Sequence, residues 1–143
     1  MAYLLDTNVL SELRRGDQGH PEVRNWMGRT LAEGHFISVL SLGEIRRGIE
    51  SLRRKSPDQA ASIEKWLRRL ADTYAECLLP ITGSVAERWG RLNAERTLPV
   101  VDGLLAATAV EFRLTVATRN TADFPKAVPV VNPFEKRRSA NPP

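Results

Sequence analysis

Three scarcities narrow the chemistry open to this chain of 143 residues: one cysteine, Cys77, two histidines, His20 and His35, and no long apolar run. A lone thiol excludes an intramolecular disulfide and a cysteine-based zinc cluster, and Cys77, in Cys-Leu-Leu-Pro, reads as a core residue. The histidines fall in a loop and at a strand start, with nothing beside them to make either a ligand or a base. Both read as surface residues, so a histidine-pair nuclease gains no support. No apolar stretch approaches the roughly 18 residues of a membrane span. The N-terminus enters an apolar strand at once, without the basic and long apolar regions of a signal peptide. The expectation is a soluble, cytoplasmic protein with no membrane contact.

What is present fits one compact unit. A hydrophobic content of 42% in this length supports one core and leaves no room for a second. We therefore expect a single domain over residues 1–135, with a disordered tail over residues 136–143. Formal net charge is +4, and much of the positive charge is arginine in doublets: Arg14-Arg15, Arg46-Arg47, Arg53-Arg54, Arg68-Arg69 and Arg137-Arg138. Arginine presents a planar fork that suits phosphate, so a polyanion such as RNA is a candidate partner. Solvated helix faces explain the same residues equally well.

Strand and helix patterns alternate. Tyr3-Leu4-Leu5 reads as a strand, followed by a short helix from about Thr7 to Arg15, a break at Gly16 to Gly19, and a helix carrying Val23 and Trp26. Phe36 to Val39 is the next strand. The spacing of Leu42, Ile45, Ile49 and Leu52 then makes a helical stripe from Ser41, and Pro57 opens a helix carrying Ile63, Trp66, Leu67, Leu70 and Tyr74. These two helices are expected to form a hairpin. Leu78-Leu79-Pro80 suits an edge strand, since proline cannot donate to a ladder. Thr82 to about Arg96 reads as a helix with Ser84 and Glu87 at capping-box spacing. Gly103 to Phe112, apolar on nearly every side, reads as a helix buried against a sheet, and Thr115 to Thr118 and Val128 to Val131 are the last strands. The alternation argues for an α/β sandwich with a mainly parallel sheet.

Four carboxylates fall at strand ends or in first helical turns, where such sheets present chemistry. Asp6 in Asp6-Thr7-Asn8 could be a plain N-cap, but three oxygen-bearing side chains exceed what one cap needs. Glu44 lies three residues after Ser41, a capping-box spacing, yet also at the edge of the apolar stripe. Asp102 precedes an apolar helix and could cap it; in such surroundings an uncompensated charge is costly, so a partner is expected. Asp123, in Thr118-Arg119-Asn120-Thr121-Ala122-Asp123-Phe124, could be a turn residue. Singly these are caps and turns. Jointly they would repel one another unless a cation neutralised them, and hard oxygen donors suit Mg²⁺ or Mn²⁺.

From Tyr3 to about Pro133 the chain resembles the PIN-domain ribonucleases, and among them the VapC-type toxins of toxin–antitoxin pairs. The likeness is carried by Leu-Asp6-Thr-Asn-Val-Leu, Leu-Gly-Glu44-Ile-Arg-x-Gly48, Asp102-x-Leu-x-Ala-Ala-Thr-Ala and Thr118-Arg-Asn-x-x-Asp123-Phe, in the family's order. The resemblance implies a PIN-like three-layer sandwich, a catalytic and metal-binding quartet of Asp6, Glu44, Asp102 and Asp123, and support from Asn8, Thr118 and Asn120. It implies Mg²⁺- or Mn²⁺-dependent hydrolysis of RNA phosphodiesters to 5′-phosphate and 3′-hydroxyl ends. It further implies an antitoxin partner lying in a groove made by the hairpin of Leu42 to Leu52 and Ile63 to Tyr74, and a homodimer or larger toxin–antitoxin assembly. Trp66 and Tyr74 could anchor that partner or simply pack the core.

Other readings are thinner. A haloacid-dehalogenase-type phosphatase needs a second aspartate two residues after the first, where this chain has Asn8. A PIN-family RNA-processing nuclease outside a toxin pair shares every motif. A non-enzymatic RNA- or protein-binding module explains the arginines but not the acids, and lacks aromatic stacking pairs on a strand.

Overall fold

The computed structural model describes residues 1–136. Its centre is a five-stranded sheet in the order β3-β2-β1-β4-β5, with every pairing parallel. The strands are β1 (Tyr3–Leu5), β2 (His35–Ser38), β3 (Leu78–Leu79), β4 (Thr115–Ala117) and β5 (Val130–Val131), and the helices are α1 (Thr7–Arg14), α2 (Pro21–Thr30), α3 (Val39–Arg53), α4 (Pro57–Thr73), α5 (Gly83–Glu95) and α6 (Val100–Phe112). Among the described residues no helix is long and apolar enough to cross a membrane.

Side chains on successive strand residues point to opposite faces, and the core divides accordingly. Tyr3, Leu5, Ile37 and Ala117 join Val9, Leu10, Val23, Trp26, Ile45, Ile49 and Leu67 on one face. Leu4 and Val116 join Leu105, Ala106, Ala109, Phe124 and Val128 on the other. Helices α1 to α4 therefore cover one side of the sheet and α5 with α6 the other. This three-layer arrangement bears out the expected sandwich, and the sheet is wholly rather than mainly parallel. The chain runs outward from β1 through β2 to β3, then crosses to β4 and β5. The strand order thus reverses between β1 and β4, the place where open parallel sheets hold ligands beyond their carboxyl ends.

Several local expectations need correction. Helix α3 starts at Val39, its cap being Ser38, whose hydroxyl accepts from the Leu40 amide at 3.1 Å. Ser41 is thus inside the helix and fully buried. Helix α5 is capped by Thr82, accepting from the Val85 amide at 3.1 Å, rather than by Ser84. Helix α6 begins at Val100 after Pro99, which leaves Asp102 in its first turn instead of at its cap. Of the strand expected from Val128 to Val131, Val130 and Val131 pair with β4.

Neither histidine is a plain surface residue. His35 is 6% exposed, stacked on Trp26 with centroids 5.5 Å apart, and its Nε2 lies 2.8 Å from the Thr30 hydroxyl. Burial holds its imidazole below the usual value, against a smaller upward pull from Glu33. His20 is half-buried and caps α2, its Nδ1 accepting from the Glu22 amide at 3.2 Å. Cys77 is half-buried, not core. The tail expected over residues 136–143 lies, apart from Lys136, outside the described residues.

Helices α5 and α6 pack closely at one point. A Cβ on Gly103 would stand 2.9 Å from both Cδ1 and Nε1 of Trp89, nearer than ring atoms allow. Gly103→Ala should lower stability by about 1 kcal/mol in urea unfolding, the clash outweighing the helix-propensity gain of alanine. A stabilised variant would show that Trp89 gives way freely.

Candidate active site

The site grows from the carboxyl end of β1. Asp6 follows the strand with extended backbone, and its amide donates to the Ala117 carbonyl at 2.9 Å, which ties it to β4. As expected of a cap, its Oδ1 accepts from the Thr7 amide at 2.7 Å. Its Oδ2 does something else. It accepts from the Thr118 hydroxyl at 2.8 Å and from Asn8 Nδ2 at 3.4 Å, across the point where the strand order reverses. Thr118 is fully buried and Asp6 8% exposed, so the carboxylate leaves water only because these donors replace it.

The hydrogen-bond capacity of Thr118 is filled. Its hydroxyl gives one proton to Asp6 and accepts from the Asn120 amide at 3.1 Å and from Asn8 Nδ2 at 3.3 Å. Asn8 turns its carbonyl oxygen to the Arg119 amide at 3.2 Å. Asn8 and Thr118 thus support Asp6 through their side chains, whereas Asn120 contributes its backbone.

Glu44 is exposed in the second turn of α3, free of the cap role its spacing allowed. The Thr7 hydroxyl donates to its Oε1 at 2.7 Å, which links the second carboxylate to the first through one residue. Asp123 is exposed at the end of a 3-10 turn, Thr121–Asp123, after β4. Arg96, just past α5, braces that turn by donating to the carbonyls of Ala122 at 3.3 Å and Phe124 at 3.5 Å. Thr7 was legible as part of Asp-Thr-Asn; Arg96 carried no sequence signal.

Asp102 ties the four together electrostatically. Its carboxyl is pushed above the usual range first by burial, then by the negative charges of Asp6, Asp123 and Glu44. All four acids therefore act on one region of space. No three of the described Asp, Glu, His and Cys side chains are arranged as direct ligands of one ion. The donor set is hard oxygen throughout, the kind that suits Mg²⁺.

Beside Glu44 a groove of about 240 Å³ runs between α1, α3 and α4, over Thr7, Ser11, Arg14, Ile45, Ile49, Ile63 and Trp66. The expected hairpin forms it, with α1 as an unforeseen third wall. Trp66 and Tyr74 both pack, half-buried, on the core, and Trp66 also lines the groove. A larger depression of about 570 Å³, at Trp26, Arg29, Glu33 and Glu135, contains none of the four acids and offers no comparable chemistry. The arginine doublets of α3 divide. Arg46 and Arg53 are neutralised by Glu50 and Glu64, while Arg47 and Arg54 line an open depression.

A family model described as the PIN domain matches residues 3–128. Toxin FitB of Neisseria gonorrhoeae is 31% identical over 137 residues, spanning 92% of this chain and 97% of that protein. A VapC ribonuclease, Y4jK of Sinorhizobium fredii, is 29% identical over 137 residues, covering 92% of this chain and 97% of its own length. Among solved structures, that of FitAcB from Neisseria gonorrhoeae superposes with a TM-score of 0.83 at 30% identity, over 94% of this chain and 99% of that one.

A raised Asp102 carboxyl has a consequence for stability. The native state holds that proton more tightly than the unfolded chain does, so stability conferred by Asp102 is present in acid and declines as pH rises through its elevated titration range. Asp102→Asn should therefore raise the melting temperature at neutral pH by a few degrees, at most about 1 kcal/mol given its partial exposure, and have no effect in acid. Thermal melts across pH check this; equal melting temperatures at neutral pH would show that the charge is already compensated.

Proposed function

The chain belongs to the PIN-domain family, and from that footing we propose that it is a Mg²⁺- or Mn²⁺-dependent endoribonuclease acting as the toxin of a type II toxin–antitoxin pair. The observation that carries this reading is the shared pressure of Asp6, Glu44 and Asp123 on Asp102, at the sheet's switch point. Four acids so placed serve a polyanionic substrate only if a cation is held between them.

In this reading Asp6, Asp102 and Asp123 would hold the cation, with Glu44 contributing directly or through water. The bound ion supplies a lowered water pKa and charge stabilisation at the phosphate. The chain's own part is orientation. Thr118 and Asn8 fix the free face of Asp6, the Thr7 hydroxyl aims Glu44, and Arg96 sets the turn that carries Asp123. Such outer partners typically contribute 10- to 100-fold to metal affinity or activity.

The toxin assignment rests on FitB, and the ribonuclease assignment on Y4jK. A solved structure that is 28% identical to this chain, titled a toxin–antitoxin complex from Klebsiella pneumoniae, supports an antitoxin partner. We place that partner in the groove beside Glu44, with Trp66 as an anchor and a homodimer or larger assembly as its setting. We take residues 1–135 as one domain and the cytoplasm as its compartment.

Purified protein, free of partner, should cut total tRNA or ribosomal RNA into discrete fragments with Mg²⁺ or Mn²⁺ and not with EDTA. Asp6→Ala and Asp102→Ala should each lower the rate at least about 100-fold while leaving the circular dichroism spectrum intact. Thr118→Val, which keeps the volume but removes the donor to Asp6, should lower it about 10- to 100-fold, with partial recovery at high Mn²⁺. A fully active Asp6→Ala protein would overturn the nuclease reading, and cleavage without growth arrest on expression would leave an RNA-processing enzyme.

A further inference from the structure

An enzyme that gathers four carboxylates around the point of cleavage repels its own substrate on every side the cation does not cover. Cationic groups near the rim would offset this; Arg14 lines the groove beside Glu44, and several other arginines are already committed. Arg15 pairs with Glu12 at 3.3 Å, Arg24 with Asp17 at 3.2 Å, and Arg96 donates to backbone carbonyls. Arg119 differs. Among the described residues its guanidinium has no carboxylate and no hydrogen-bond acceptor; it lies with Cζ 3.9 Å from the centre of the Phe134 ring.

That position is fixed from both ends. Arg119 follows Thr118, and its amide donates to Asn8, so its backbone is tied to the two residues that hold Asp6. Phe134 is set by its own amide, which donates to Asn132 Oδ1 at 2.9 Å, and by the edge-on ring of His20 at 5.1 Å. Stacking uses one face of the guanidinium and leaves the in-plane fork of donors open. An uncompensated fork on the residue that follows Thr118, held against a ring, is suited to a phosphate oxygen.

We propose that Arg119 binds a phosphate of the RNA strand next to the reacting one, and that Phe134, from the segment after β5, holds its guanidinium for that contact. The inference rests on the nuclease reading for the identity of the strand being cut. It adds a substrate-binding residue and a positioning residue, and Phe134 lies beyond the segment 3–128 that matches the family.

Binding of a labelled single-stranded RNA oligonucleotide of mixed sequence tests it without cleavage. The chain carries Asp6→Asn throughout, in Mg²⁺, and affinity is followed as salt is varied. Arg119→Ala should weaken binding about tenfold, as loss of a charged hydrogen bond does. It should also make the slope of log K against log salt shallower by about 0.7, the loss of one phosphate contact on a single strand. Arg119→Lys should restore the slope with part of the affinity. Phe134→Leu should weaken binding several-fold with the slope unchanged, because the charge remains but its support is gone. An unchanged affinity and slope in Arg119→Ala would overturn the proposal, as would weaker binding with an unchanged slope and a lowered melting temperature, which marks a structural tether. Cleavage by the Asp6→Asn chain at the unsubstituted rate would overturn the nuclease reading instead, while the salt slope would still report on Arg119.

Discussion

The hydrogen bond from the Thr118 hydroxyl to Asp6 is the contact on which the site's construction depends. A parallel sheet whose strand order reverses leaves an open crevice between its two central strands. Here the crevice lies beyond the carboxyl ends of the paired strands β1 and β4, and a short polar bridge spans it with a charged group at its centre. Asp6 is buried and would be costly to ionise without donors. Three donors from both strands supply them: the Thr7 amide, the Thr118 hydroxyl and the Asn8 amide group. The remaining parts of the site hang from this bridge, Glu44 through Thr7, Arg119 through Asn8 and the Asp123 turn through the continuation of β4.

Asp102 shows what such an arrangement opposes. Its place in the first turn of α6 is electrostatically favourable, since the helix N-terminus attracts negative charge. Burial and three neighbouring carboxylates outweigh that attraction and push its carboxyl up. Gly103, the next residue, lets α6 pack closely on Trp89 of α5. A fold selected for stability alone would separate these charges. One that holds them together stores a repulsion that a cation relieves, and functional sites are where local rules give way in this manner.

The backbone frame was legible because it is set by period. The unbroken apolar run from Tyr3 to Leu5 marks a strand buried on both faces, and the apolar stripes of α3 and α4 fix which helix faces cover it. Caps were less legible, since serines and threonines recur near the starts of α3 and α5 and local sequence does not choose among them. Reading Ser41 in place of Ser38 gave Glu44 a cap partner it does not have, and so understated its freedom to serve the site. His35 was misplaced for a related reason. A polar residue at a strand start is ordinarily exposed, and only the stacking of Trp26, with Thr30 as partner, makes burial tolerable. Phe134 over Arg119 joins residues from separate strand ends, a contact that no local pattern announces.

The groove beside Glu44 brings the electrostatics to bear on partner choice. Its floor of Ile45, Ile49, Ile63 and Trp66 offers apolar burial, while one end opens on Thr7 and Glu44 and the wall carries Arg14. A segment laid along it would gain from covering the apolar floor, but wherever it excluded water near Glu44 it would strengthen the repulsion among the acids. An uncharged segment would therefore bind the floor and stop short of the acids, whereas one ending in a cation would gain at both places. The same carboxylate pressure that calls for a metal ion thus selects, among peptides, for those that carry positive charge to the end of the groove. Under the proposed function, such a segment and an RNA held through a cation would compete for one region of negative potential, so occupancy by one would exclude the other without any change of fold.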